Sequence, residues 1–160
     1  MTRMLSATLA ALSAALLASA AVAGPLAAKD AWTRPAAAGG TAAGYLTLVN
    51  RGGPDLLVGA DSPLAQRVEA HASGMAGGMM QMSAEPALPT PAGGEVVFAP
   101  GGRHLMLIGL KRALRIGDHV PVTLRFKSGA RLTVDLAVRT TPPAGAPKPM
   151  GHMGHMEGMR

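Results

Sequence analysis

Apolar and polar residues alternate most regularly between positions 120 and 138. Val120, Val122, Leu124 and Phe126 alternate with Pro121, Thr123, Arg125 and Lys127. Ser128-Gly129 follows, and then Leu132, Val134, Leu136 and Val138 alternate with polar partners. A period of two puts each apolar set on one face of an extended segment, so this stretch predicts a β-hairpin turning at Ser128-Gly129. Upstream, residues 44–50 predict a strand that ends in the turn signal Asn50-Arg51-Gly52-Gly53-Pro54. Residues 55–60 and 66–72 predict two more, and residues 95–99 a fourth, closed by Pro100-Gly101-Gly102. The run Leu105 to Leu110 is apolar on both faces and predicts a well-buried strand. Ser73 to Met80, with Gly74, Gly77 and Gly78, reads as a loop. No segment carries a convincing helical period. Short strands punctuated by Gly and Pro imply an all-β antiparallel sandwich or barrel.

The aromatic content limits the core. With two Phe, one Trp and one Tyr, it must be built from Leu, Val, Ala and Ile, and Trp32 and Tyr45 are expected to pack in it or at its rim. There is no cysteine, so no disulfide supports the fold and a blue-copper site, which needs a thiolate, is disfavoured. Fifteen Lys and Arg against nine Asp and Glu give a net charge of +6. The arginines are scattered and no aromatic platform interleaves them, which argues against nucleic acid.

The N-terminus predicts export. Arg3 precedes an apolar run from Leu5 to Ala20, and Ala21-Val22-Ala23 fits a signal-peptidase site, giving a signal peptide over 1–23 and a start at Gly24. An uncleaved membrane anchor is the competing reading of this segment; cleavage would leave no stable membrane insertion. Residues 24–139 then form one domain, 140–149 a Pro-rich linker, and 150–160 a Met/His-rich tail.

Four metal-ligand types recur at an unusual spacing: His71, ten residues, Met82, twenty-one residues, His104, one residue, Met106. Thioether sulfur is soft and uncharged, so two imidazoles with two thioethers favour Cu(I) over Zn(II), Mg(II) or Ca(II). His104 and Met106 are two apart and share a face on an extended segment. By the same parity Arg67, Glu69 and His71 share a face opposite Val68 and Ala70, which turns His71 towards the polar side. Met82 would be delivered by the preceding loop. Taken alone, Met106 reads as core filler and His104 as a surface residue. Met75, Met79, Met80 and Met82 are harder to dismiss, since exposed methionines gain little burial. His119, beside Gly117-Asp118, reads as a surface residue.

This His-x10-Met-x21-His-x-Met pattern resembles the signature of the PCu(A)C family of periplasmic copper chaperones. The resemblance extends through Ala31-Trp32-Thr33-Arg34-Pro35, Ala43-Gly44-Tyr45-Leu46, Asn50, Met80-Gln81-Met82, Pro91-Ala92-Gly93 and residues 100–107, then Leu110-Lys111 and Gly117-Asp118. It covers about residues 30 to 139. Two departures are visible: Ala72 stands where many members carry a polar residue or Met, and the flanking methionines leave Met80 as an alternative to Met82. The resemblance implies a cupredoxin-like, Greek-key antiparallel barrel or sandwich binding one Cu(I) through His71, Met82, His104 and Met106. It also implies delivery to the Cu(A) centre of cytochrome c oxidase, on subunit II, alongside a Sco-type thiol protein.

Beyond the domain, residues 140–149 predict an extended linker that spans about 30 Å in polyproline form. Met150, His152, Met153, His155, Met156 and Met159 form a tract that cannot build a packed core. They predict a disordered tail with a second copper site, thioethers serving Cu(I) and His152 and His155 serving Cu(II). Three classes of function follow: a copper chaperone, a copper-sequestration or resistance protein, and, ranked last, a copper enzyme. No cysteine or acid–base pair supports catalysis, and Gly24 at the mature start excludes an amino-terminal histidine brace.

Overall fold

A computed structural model describes residues 24–148. The signal peptide expected over 1–23 and the Met/His tail expected over 150–160 lie outside these residues. The described chain forms ten strands: β1 Leu26–Thr33, β2 Thr41–Asn50, β3 Asp55–Asp61, β4 Ala65–Ala76, β5 Met79–Ala84, β6 Leu88–Thr90, β7 Glu95–Phe98, β8 Arg103–Leu110, β9 His119–Phe126 and β10 Arg131–Val138.

The expected hairpin is β9–β10, in register from Ala137 opposite His119 to Arg131 opposite Arg125. Val120, Val122, Leu124 and Leu136 on its inner face are wholly buried. Gly129 takes the left-handed backbone (φ 91°) that lets this turn close without strain. The strands follow one another as β5-β4-β8-β2-β1-β10-β9-β3-β6, and a β3–β4 bridge at Ala60 and Val68 closes seven of them into a barrel. Every neighbouring pair in the barrel is antiparallel except β1–β10, which is parallel through Trp32–Ala137 and Thr33–Val138. An odd ring cannot alternate up and down all the way round, so one parallel seam is a necessity of closure. The expected antiparallel barrel is found, with that one parallel seam as its exception.

Leu46, Leu105, Leu107, Leu124 and Leu136 fill the barrel at 0% exposure. Burying each contributes about 1.5–3 kcal/mol. Trp32 is buried as well, against the Tyr45 ring 5.0 Å away. Burial raises the Tyr45 phenol above its ordinary range, partly offset by the nearby Arg34 guanidinium. Gly44 marks a close approach within the core, since a Cβ there would lie 2.7 Å from Leu136 Cδ1.

Two expectations are corrected. Residues 73–80 are not a loop: β4 runs on to Ala76, Gly77 and Gly78 turn with φ of 59° and 76°, and β5 returns along it. Two consecutive positive φ values are the requirement of a tight hairpin turn whose twist matches its strands, and paired glycines meet it. The stretch after Val138 is not extended throughout, because Ala146 N–H donates to the Pro143 carbonyl and Gly145 packs on Asp30.

Candidate metal centre

The register of β4 against β8 sets the site. His71 stands directly opposite His104, and Glu69 opposite Met106. Directly paired residues project to one face, so these four side chains form a two-by-two array across adjacent strands. Leu105 and Leu107, which alternate with the site residues, point into the barrel and anchor β8. The site therefore rests on strands held by the core.

The imidazole rings of His71 and His104 lie 6.0 Å apart, centroid to centroid. His71 Nε2 is 2.9 Å from Glu69 Oε2, and His104 Nδ1 is 3.1 Å from the Gly102 carbonyl. An ionised carboxylate and a carbonyl only accept, so the proton is on Nε2 of His71 and on Nδ1 of His104. The other nitrogen of each ring then carries a lone pair. Among the described residues, just three buried side-chain polar atoms lack a hydrogen-bond partner: His71 Nδ1, His104 Nε2 and Thr90 Oγ1. A buried polar atom left unpaired costs about 1–3 kcal/mol. Two of the three belong to facing histidines, and a 6.0 Å ring separation is compatible with one nitrogen of each sharing a single ion at about 2 Å. The single hydrogen bond on each ring fixes its tautomer and orientation, the kind of support that metal-binding histidines usually have.

The surroundings are mixed. His104 is 5% exposed, Met106 half-buried, and His71 mostly shielded. The His71 N–H donating to Glu69, with the Arg67 guanidinium beside it, holds that carboxyl below its ordinary range. Arg67 Nε lies 3.1 Å from Glu69 Oε1. On the alternate face, Glu85 binds Arg103 through two contacts of 2.8 and 3.3 Å, fastening the end of β5 to the start of β8. Among the described residues no three or more His, Cys, Asp or Glu side chains converge.

Met82 is 55% exposed and sits on β5 opposite Ser73. Ala84, two residues on, faces His71, so Met82 shares the histidine face one row further out. Met80 lies one row beyond that, opposite Met75. Parity admits both methionines, and proximity favours Met82. His119 is exposed at the start of β9, away from this array. Sequence reasoning assigned Glu69 a face but no role; its position two residues from His71 was the available signal.

The family model described as "Putative lipoprotein LpqE-like" matches residues 26–138. The chain is 38% identical over 111 residues to "Putative lipoprotein Lxx21020" of Leifsonia xyli subsp. xyli (strain CTCB07), covering 68% of this chain and 66% of that protein. It thus spans just under two thirds of that relative's length. Among solved structures it is similar to the copper-bound PCuAC domain from PmoF2, with 28% identity and a TM-score of 0.61 over 74% of this chain and 95% of that one. It is likewise similar to apo-DR1885 from Deinococcus radiodurans (33% identity, TM-score 0.56, 88% of this chain and 97% of that one). The Cu(I) form of DR1885 gives 37% identity and a TM-score of 0.52 over 68% of this chain and 76% of that one.

Proposed function

Because the chain belongs to the LpqE-like family and folds as PCuAC domains do, we propose that it is an exported copper chaperone and not an enzyme. It binds one Cu(I) through His71, Met82, His104 and Met106. The observation that carries this is the facing His71–His104 pair with its two unpartnered nitrogens. The copper bound by the PmoF2 domain and the Cu(I) bound by DR1885 support the choice of ion.

The donor set suits carriage. Two neutral imidazoles and two thioethers add no charge, so the complex keeps the single positive charge of Cu(I). Thioethers bind no proton at ordinary pH, so acidity that would protonate a thiolate leaves them in place. The histidines are held by the barrel, whereas Met82 is exposed on β5. A partner's donor can displace Met82 first and draw the ion off stepwise. On this reading the recipient is the Cu(A) centre on cytochrome c oxidase subunit II, with a Sco-type thiol protein as co-worker, and the compartment is the periplasm. The Met/His-rich sequence from Met150 to Met159 favours a second reading, sequestration; on either reading it serves as a further copper site.

An anaerobic Cu(I) competition titration of the chain and of its His104→Ala variant tests the site. One tightly held equivalent is expected to disappear in the variant, and unchanged binding would overturn the assignment. Transfer to an apo Cu(A) domain separates the two readings: a chaperone hands copper over faster than free exchange, and a sequestering protein retains it.

A further inference from the structure

Six large hydrophobic side chains are exposed among the described residues, and four of them are methionines of one hairpin: Met75 at 61%, Met79 at 70%, Met80 at 58% and Met82 at 55%. Nothing in the packing of the barrel calls for them there. The β4–β5 register places Met75 directly opposite Met80, and Met82 two residues along from Met80. These three share the face that carries His71, while Met79, opposite Ala76, belongs to the other.

We propose that Met75, Met80 and Met82 form an outer Cu(I) site on the domain that takes up the ion and passes it inward to His71, His104 and Met106. The proposal rests on the copper reading above and adds a route of entry to it. Directly opposed residues on paired strands have Cβ atoms about 4.5–5.5 Å apart, and diagonal neighbours lie within about 7–8 Å. Methionine has three rotatable side-chain bonds, so thioethers at those separations can turn onto one ion. A site of uncharged sulfur alone selects a soft monovalent cation and gives Zn(II) or Cu(II) little hold.

Met82 belongs to both sites and makes the transfer an exchange of ligands. The ion first leaves Met75 and Met80 while it remains on Met82. Lone pairs on His71 Nδ1 and His104 Nε2, with the Met106 sulfur, then replace the lost donors. Copper remains Cu(I), every donor is neutral before and after, and no proton or electron moves.

Methionine-methyl NMR of the full chain, labelled with 13C at the methyl groups and titrated anaerobically with Cu(I) to saturation, tests this. Met75 and Met80 methyl signals are expected to shift together. Met80→Leu, at an exposed position, is expected to abolish the Met75 shift while Met106 still responds and the core Leu and Val methyls stay in place. The outer site is overturned if Met75 and Met80 remain fixed while Met106 moves, or if the Met75 shift survives intact in Met80→Leu. Movement of Met75 and Met80 with the Met106 methyl unchanged would support the outer site and refute the inner one. Stillness in all of them would refute both.

Discussion

Removing the Glu69 carboxylate should weaken Cu(I) binding without unfolding the barrel. Glu69 accepts from His71 Nε2 at 2.9 Å, and this contact keeps the His71 lone pair on Nδ1. Its loss frees the ring to rotate and to carry its proton on the nitrogen that should bind copper. Partners of this kind typically alter metal affinity 10–100-fold. The Glu69 side chain is 39% exposed, so water partly replaces it and Glu69→Ala should fall at the low end, about tenfold. Glu69→Gln retains an oxygen that can accept from Nε2–H and should stay near the parent value. Arg67→Ala, which removes an exposed ion pair from the other carboxylate oxygen, should change little. The assay is competition against a chromophoric Cu(I) chelator, with circular dichroism to establish that each variant is folded. Parent-like affinity in a folded Glu69→Ala chain would refute the orienting role. So would a Glu69→Gln loss as large as that of Glu69→Ala, since charge and not geometry would then be at work.

Leu105→Ala empties a wholly buried position between His104 and Met106, and should cost about 2–5 kcal/mol in urea unfolding. Gly44→Ala should also destabilise, by about 1–3 kcal/mol, because its Cβ would lie 2.7 Å from a methyl of the wholly buried Leu136; thermal melting checks this. The Asp118 carboxyl is held below its ordinary 3.8 by the Arg115 N–H and the Arg112 guanidinium. A lowered folded pKa adds stability above 3.8 that is lost as pH falls through the folded value. The gap between parent and Asp118→Asn should therefore be full at neutral pH and close in acid, as read by melting temperature across pH 2–7 (roughly the carboxylate range).

Much of the fold was legible because strand periodicity is local. The β9–β10 alternation, the Ser128-Gly129 turn and the apolar run of β8 are written in adjacent residues. The same parity put His104 with Met106 and Glu69 with His71 before any partner strand was known. Pairing was not legible, because nothing local specifies that β4 lies against β8 with His71 opposite His104. The parallel β1–β10 seam is likewise a property of the closed ring, invisible to any one segment. β5 was missed for a different reason. Met79-Met80-Gln81-Met82 has no β-branched residue and little alternation, and the glycines before it read as freedom when two of them form a tight turn. Gly77-Gly78 between two short runs was the signal. Glu69 escaped because a carboxylate on a polar face is ordinary until its neighbour is seen to face a second histidine across the strands.

The seam also governs when the molecule can come into being. Trp32, near the start of the domain, must find Ala137, near its end, before the ring is complete. Closure of so long a loop carries an entropic cost that no local contact offsets, and chains dominated by such distant pairings fold slowly. A nascent polypeptide lacking β10 has both β1 and β9 as open edges and no finished interior. On the proposed reading, the histidine pair on β4 and β8 gains its full support only after the far end of the chain has arrived.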